Sequence, residues 1–250
     1  MYPKYVNILG VKVSSTTEHE VLDFVAEKIK KREKFFITTP NPEIITLAQT
    51  DFELKKALNK ADLALPDGFG LKFAKSIQRI TGREMMIKLL TLANEKKWKV
   101  FILGGSESVN RKTKLKIGYD FLNLIVKGNA GASMNHNLSF NTKRDEKIDR
   151  KVKAEITRFQ PHLLFVAFGA PKQEKWVYQN FDKLKIGGAM VVGGSFDYYV
   201  GKTILPPEWI ASIGLEWLWR LSNNPAHIRR VFTAVIIFPL LLVKEKLLNR

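Results

Sequence analysis

The sequence predicts an α/β fold: a Rossmann-like, mainly parallel sheet flanked by helices, with a small helical appendage at the C-terminus. Three observations predict it. Short apolar runs alternate with helical-period segments from about residue 34 to residue 192. Most of the runs stop at Gly or Pro. They are continuous rather than alternating, as strands covered on both faces are. Strands separated by helices need crossover connections, and so a parallel sheet.

The elements follow in order. After the first residues the chain alternates into Val11–Val13, and His19 falls in a helical stretch. Lys34–Thr39 reads as a strand ending in Pro-Asn-Pro. One helix is expected from Glu43 to Asn59, with Ile44, Leu47, Ala48, Leu54 and Leu58 near one face. Ala61–Leu65 is a short apolar run stopped by Pro66-Asp67-Gly68. Met85–Glu95 reads as a helix and Val100–Leu103 as a strand stopped by Gly104-Gly105, with a polar helix behind it. Leu122–Val126 reads as a strand ending at Gly128, Asn129–Thr142 as a polar surface loop, and Asp145–Phe159 as a charged amphipathic helix. Leu163–Phe168 is a buried-type strand ended by Gly169-Ala170-Pro171. A helix over Pro171–Phe181 has proline near its first turn, where its missing N–H is harmless. Ala189–Val192 is a strand ended by Gly193-Gly194. Beyond about residue 195 the chain turns rich in aromatics and arginines. A boundary is expected there: residues 1–195 form the core and residues 196–250 the appendage.

The 250 residues carry 41 Lys and Arg against 24 Asp and Glu, a net charge of +17 that should draw the chain to polyanions. Nucleic acid, anionic lipid and phosphate-bearing substrates all qualify. A hydrophobic content of 45% rules out a wholly disordered chain. The absence of cysteine excludes disulfides, thiol nucleophiles and Cys-ligated metals. No basic start leads into an apolar run at the N-terminus, so no secretory signal is expected. Val231–Val243 is apolar apart from Thr233 and Pro239, and Arg229, Arg230, Lys244, Lys246 and Arg250 flank it. It is too short for a span, which needs roughly twenty residues. Two readings remain: a helix packed on the core or a second subunit, and a segment lying in a membrane interface.

Ligands of open α/β sheets bind beyond the carboxyl ends of the strands. That rule selects Thr39, Asn41, Asp67, Gly68, Gly104, Gly105, Gly169, Gln173, Gly193 and Gly194. Glycines there let a backbone approach phosphate, although ordinary strand-to-helix turns also use them. Neither the Gly-x-Gly-x-x-Gly fingerprint nor the P-loop is present, which argues against a typical NAD enzyme or NTPase. Asp67 should point into the crevice, either as a general base toward a hydroxyl or as a helix cap. Asp197 is a second candidate carboxylate. The histidines do not pair at metal-ligand spacing, and no Asp-x-Asp offers a metal-held diphosphate its usual handle, so no metal and no cofactor are expected. Arginines beside aromatics, in Glu216-Trp217-Leu218-Trp219-Arg220 and Pro225-Ala226-His227-Ile228-Arg229-Arg230, suit a diphosphate or a solvated basic face equally well.

Four motifs in order narrow these readings. They are Thr39-Pro40-Asn41-Pro42-Glu43; Pro66-Asp67-Gly68-Phe69-Gly70 with Arg79-Ile80-Thr81-Gly82 behind it; Gly169-Ala170-Pro171-Lys172-Gln173-Glu174-Lys175-Trp176; and Val192-Gly193-Gly194-Ser195-Phe196-Asp197 running on to Gly214-Leu215-Glu216-Trp217-Leu218-Trp219-Arg220. Together they resemble the WecG/TagA/CpsF glycosyltransferase family, family 26, from about Asn7 to Arg230. The resemblance implies an inverting, metal-independent transferase. Such enzymes move an N-acetylmannosamine-type sugar from UDP to polyprenyl-diphosphate-linked N-acetylglucosamine, for teichoic-acid linkage units and other surface glycans. It implies Asp67 as general base, with Thr39, Asn41, Arg79 and Gln173 around it. Lys172, the crevice glycines and Asp197 are expected in the substrate site from their positions at the strand ends. Arg220 and Arg230 match arginines that the appendage brings over the site. It further implies peripheral attachment at the cytoplasmic face of the membrane, and it suggests self-association.

The sequence departs from the family at His227, where an arginine is usual; a neutral imidazole is a poorer anion partner. Glu84 replaces a usual aspartate, and Asn129-Ala130-Gly131-Ala132 replaces a common stretch, which points toward a different donor sugar. Two rivals stand beside the transferase. A nucleic-acid-binding protein would answer to the charge, but no recognisable nucleic-acid motif is present. A catalytically silent scaffold would not require Asp67, Asn41 and Gln173.

Overall fold

The computed structural model describes residues 4–68, 70–71, 77–207, 209–210, 215–223 and 228–248. The chain opens with an antiparallel hairpin of β1 (Lys4–Ile8) and β2 (Val11–Ser15). Its two-residue turn, Leu9-Gly10, has positive φ at both positions, which matches the twist of the paired strands. The hairpin stands apart from the main sheet and is docked on it. The Ala64 N–H donates to Ser14 Oγ at 2.9 Å, and Asn59 Nδ2 donates to the Gly10 carbonyl at 2.9 Å.

Helix α1 (Glu18–Lys31) starts at a reciprocal cap between Thr17 and Glu20 and ends with lysines in its last turn, in keeping with the helix dipole. There follow β3 (Phe35–Thr38), α2 (Pro42–Leu47), α3 (Phe52–Lys60), the two-residue β4 (Leu63–Ala64), α4 (Gly82–Glu95) and β5 (Lys99–Gly104). Next come α5 (Glu107–Asp120), β6 (Ile125–Asn129), α6 (Lys143–Phe159), β7 (Leu163–Ala167), α7 (Lys172–Asn180), β8 (Gly188–Val191) and α8 (Ser195–Tyr199). The C-terminal stretch contributes α9 (Glu216–Asn223) and α10 (Ile228–Phe232), which continues through a π turn (Thr233–Ile237) into α11 (Phe238–Leu248).

Six strands form one parallel sheet in the order β4-β3-β8-β7-β5-β6. The expected α/β fold with a mainly parallel sheet is therefore present. Alternate residues of each strand face opposite layers. Phe35, Ile37, Val100, Ile102 and Phe165 meet α1, α4, α5 and Phe196 of α8 on one face. Phe36, Phe101, Leu103, Leu164 and Val166 meet α6 and α7 on the other. A third cluster joins the hairpin, α2 and α3 to Phe238 of the C-terminal helix, which is 1% exposed.

The single helix expected from Glu43 to Asn59 is two helices. Asn41 caps the first and Asp51 the second, each accepting the backbone N–H three residues on, and the chain turns between them. The strand expected at Leu122–Val126 begins three residues later. Leu122 is 84% exposed on the turn, and β6 is the edge strand, so its apolar residues are not all buried.

Candidate active site

The chain leaves β5 toward β6 and leaves β7 in the opposite direction toward β8, while β5 and β7 are neighbours. Their following helices, α5 and α7, lie on opposite faces, so a crevice opens where the strand order reverses. Gly104 and Gly105 sit on one wall. Gly104 has φ of 104°, and a Cβ there would lie 2.6 Å from the Ala167 carbonyl group, so only glycine fits between the two strand ends. The Gly105 N–H donates to that carbonyl at 3.0 Å. Ser106 then caps α5, whose N-terminus faces the same edge. On the β7 side, Gly169 has φ of 76° and precedes a cis Ala170–Pro171 bond, and Lys172 opens α7.

The neighbouring edge gathers the Thr39, Asn41 and Asp67 loops. The Asp67 N–H donates to the Pro40 carbonyl at 3.0 Å, and the Leu65 N–H to the Thr38 carbonyl at 2.8 Å, so the loops after β3 and β4 are tied together. The Asp67 carboxylate accepts the Gly82 N–H at 3.2 Å through Oδ2. Gly82 is the first residue of α4, so the negative charge sits on the positive end of a fourteen-residue helix. Thr39 is buried, and its Oγ1 lies 3.5 Å from the Val191 carbonyl of β8. Asn41 accepts the Ile44 N–H, so its side-chain oxygen serves the cap of α2. Gly68 has φ of 109° and lets the Pro-Asp-Gly turn lie against Pro42.

Gln173 is 2% exposed and both ends of its amide are engaged. Its Oε1 accepts the Gly193 N–H at 3.1 Å, and its Nε2 donates to Glu174 Oε1 at 2.9 Å. Gly194 follows and opens α8. Asp197, on α8, pairs with Lys202 at 2.9 Å near the surface.

Two of the candidate cations, Arg79 and Arg230, are turned to glutamates. Arg79 donates to Glu216 of α9 through Nη2 at 2.7 Å, and its buried Nε has no hydrogen-bond partner among the described residues. Arg230 donates to Glu43 of α2 at 2.7 Å. Each of these pairs ties a C-terminal helix to the chain before residue 80. Arg220 is carried on α9, and His227 lies outside the described residues. The three glutamates in these contacts stand inside the quoted motifs, but the residue pattern gave them no role. Their partners come from distant sequence, 137 residues away for Glu216 and 187 for Glu43. Glu174 is the exception, being adjacent to Gln173. It is fully buried with Oε2 unpartnered among the described residues, and burial above all pushes its carboxyl up to about 7. Among the described residues no three His, Asp or Glu side chains converge as metal ligands.

A carboxylate set at the carboxyl edge of a parallel sheet, beside a glycine-walled crevice, fits an enzyme of the group-transfer class. The sequence model of the glycosyl transferase WecG/TagA/CpsF family matches residues 6–250, and the chain belongs to that family. It is similar to the N-acetylglucosaminyldiphosphoundecaprenol N-acetyl-beta-D-mannosaminyltransferases of three bacteria. Identity is 29% to that of Bacillus subtilis strain 168, over 84% of this chain and 79% of the relative. It is 30% to that of Bacillus spizizenii, over 79% and 75%, and 27% to that of Staphylococcus aureus strain MW2, over 96% and 93%.

Proposed function

We propose that this glycosyltransferase moves N-acetylmannosamine, or a related hexose, from a UDP-sugar to polyprenyl-diphosphate-linked N-acetylglucosamine. The activity for which its relatives are named supports the acceptor and the sugar. The observation that carries the chemistry is the Asp67 carboxylate, held at the crevice edge by the Gly82 N–H. In this reading Asp67 takes the proton of the acceptor hydroxyl. The hydroxyl oxygen then attacks the anomeric carbon, and the bond to the diphosphate breaks on the opposite face, with inversion. UDP leaves with the bonding electrons. Its growing charge is met, without a metal, by backbone N–H groups of the glycine turns and by Arg220, with Arg79 and Arg230 joining once the donor draws them from Glu216 and Glu43. The Gly104-Gly105 wall and the α5 N-terminus suit the donor diphosphate. Thr39, Asn41 and Gln173 shape the sugar site.

The core to about residue 195 carries the chemistry, and the appendage closes over it and docks on the cytoplasmic face of the membrane. Linkage-unit synthesis for teichoic acid or a similar surface polymer is the pathway class this reaction fits. The positive charge serves anionic lipid and diphosphate rather than nucleic acid.

The test is UDP release with UDP-N-acetylmannosamine and a short-chain lipid-diphosphate N-acetylglucosamine, in EDTA. Release should require both substrates. Asp67→Asn should lower turnover by about a hundred-fold or more, the usual scale of general-base catalysis. Near-normal turnover in a folded Asp67→Asn protein removes Asp67 from the role, and release only after metal addition removes the metal-free mechanism.

A further inference from the structure

One buried ionisable group has no task in the transfer reaction. Glu174 is completely shielded from solvent, in the first turn of α7, at the edge of the sheet where the crevice opens. One of its oxygens accepts Gln173 Nε2 and the other has no partner among the described residues. Gln173 in turn accepts the Gly193 N–H at the end of β8. An amide that accepts on one side and donates on the other cannot flip without losing both bonds. The Gly193 N–H demands the amide oxygen on its side, and Glu174 Oε1 accepts from the amide nitrogen on the other, so the two contacts together fix which way the Gln173 amide points. A carboxylate buried with no cation in contact is strongly disfavoured, and such a group keeps its proton instead.

The charged groups around it oppose one another, and the acidic one is the stronger. Glu43 of α2 pushes Glu174 toward the protonated form, and Arg230 of α10 pulls weakly the other way while paired with Glu43. Lys175, next along the helix, is committed to Asp51 and Glu53 of α3. A negative charge at this place would also stand behind the edge where a diphosphate is expected.

Resting on the transferase reading, we propose that Glu174 is a positioning residue that works as the neutral acid. It fixes the Gln173 amide and the Gly193 turn, and it withholds negative charge from the donor-diphosphate site.

The experiment compares the full chain with Glu174→Gln and Glu174→Ala. Glutamine keeps an oxygen for Gln173 Nε2 and a donor where the acid O–H stands. KM for UDP-N-acetylmannosamine and kcat are measured from about pH 5.5 to about pH 8.5, a range that brackets the expected titration. In the wild type, KM should rise as pH passes about 7, with a smaller change in kcat. Glu174→Gln should stay within about threefold of wild type at low pH and lose that rise, whereas Glu174→Ala should lose about tenfold or more in kcat/KM through the misplaced amide. The proposal is overturned if Glu174→Gln keeps the alkaline rise in KM, or is as impaired as Glu174→Ala. A readout independent of turnover is the infrared difference between wild type and Glu174→Gln at low pH. It should contain the carbonyl band of one protonated carboxyl group, bleaching as pH passes about 7. If no UDP-sugar is turned over, the transferase reading fails alone, and the infrared band still decides whether Glu174 is the neutral acid; its absence sinks the proposal.

Discussion

A carboxyl group buried beside a neutral amide makes its proton part of the folded state, and Glu174 shows the consequence for stability. In the unfolded chain it ionises near its ordinary value of 4.5, whereas burial raises it to about 7 in the fold. Between these values the folded state binds more protons than the unfolded one. This contribution to stability is therefore complete below the ordinary range and is lost as pH rises toward 7. Glu174→Gln cannot titrate, so its stability relative to wild type should improve by about 2 kcal/mol between pH 5 and pH 8. Urea unfolding of both proteins at the two pH values measures it. An unchanged difference would mean that Glu174 is ionised in the fold. The Asp67 position was legible because a strand followed by Pro-Asp-Gly places the aspartate at the sheet edge. Its anchor was not, because Gly82 lies fifteen residues on and only folding brings its N–H to the carboxylate. Arg79 and Arg230 were marked by the motifs as candidate cations. Their pairing with Glu216 and Glu43 depends on where the appendage docks, which no local pattern encodes.

At the scale of elements, Asp51 and Lys175 join three segments. Asp51 caps α3 through Oδ1, which accepts the Leu54 N–H at 3.0 Å, and meets Lys175 of α7 through Oδ2 at 2.5 Å. Lys175 is 2% exposed and also donates to the His136 carbonyl in the loop before α6. Burial alone would raise the Asp51 pKa. The bond from Lys175 and the N–H groups of Leu54 and Glu53 outweigh it, so the carboxyl lies below its ordinary range. The stabilisation is thus present above the ordinary aspartate pKa near 3.8 and is lost as pH falls through the lower folded value. Asp51→Ala removes both the cap and the principal partner of a buried ammonium and should destabilise by about 3–5 kcal/mol at neutral pH. Asp51→Asn, which can still cap, should lose less, and its deficit should shrink as pH falls below about 4, where wild type gives up the ion pair too. Chemical unfolding across that range checks it; a deficit as large in acid as at neutrality would assign the loss to packing. The same aspartate explains the one helix expected and the two found. The apolar period runs on through Ile44, Leu47, Ala48, Leu54 and Leu58, but Asp51 ends the continuity by capping a new start. The strand at Ile125–Asn129 lies three residues beyond the expected start because hydrophobicity marks burial, and an edge strand is only partly buried. The inner strands, shielded on both faces, were legible almost to the residue.

Among the described residues no helix is long and apolar enough to cross a membrane. The terminal helical stretch is instead anchored along one side by Phe238, with Leu241 and Leu242 packed against the same cluster. Its other side exposes Ile228, Phe232, Ile236, Leu240, Val243 and Leu247, at steps of three or four residues that keep them on one stripe. Arg229, Lys244 and Lys246 flank the stripe and are exposed. An apolar face bordered by lysine and arginine fits the interface of an anionic bilayer, where side chains enter the acyl boundary and cations meet phosphates. Burying a large apolar side chain contributes about 1.5–3 kcal/mol when complete, so two half-exposed ones are worth about a hundred-fold in partitioning. Phe232→Asp with Leu240→Asp should therefore reduce co-sedimentation with phosphatidylglycerol vesicles by about a hundred-fold while leaving the fold intact, since neither side chain is in the core. Charge reversal at Lys244 and Lys246 should weaken binding less, and that smaller effect should vanish at high salt, because screening acts on the cations and not on the apolar insertion. Transfer to a water-soluble acceptor should survive the double substitution, while transfer to an acceptor embedded in vesicles should fall with the binding. Unchanged co-sedimentation would show that the stripe faces something other than lipid, and a second copy of the chain, read from the sedimentation of the protein alone, would then be the occupant to test.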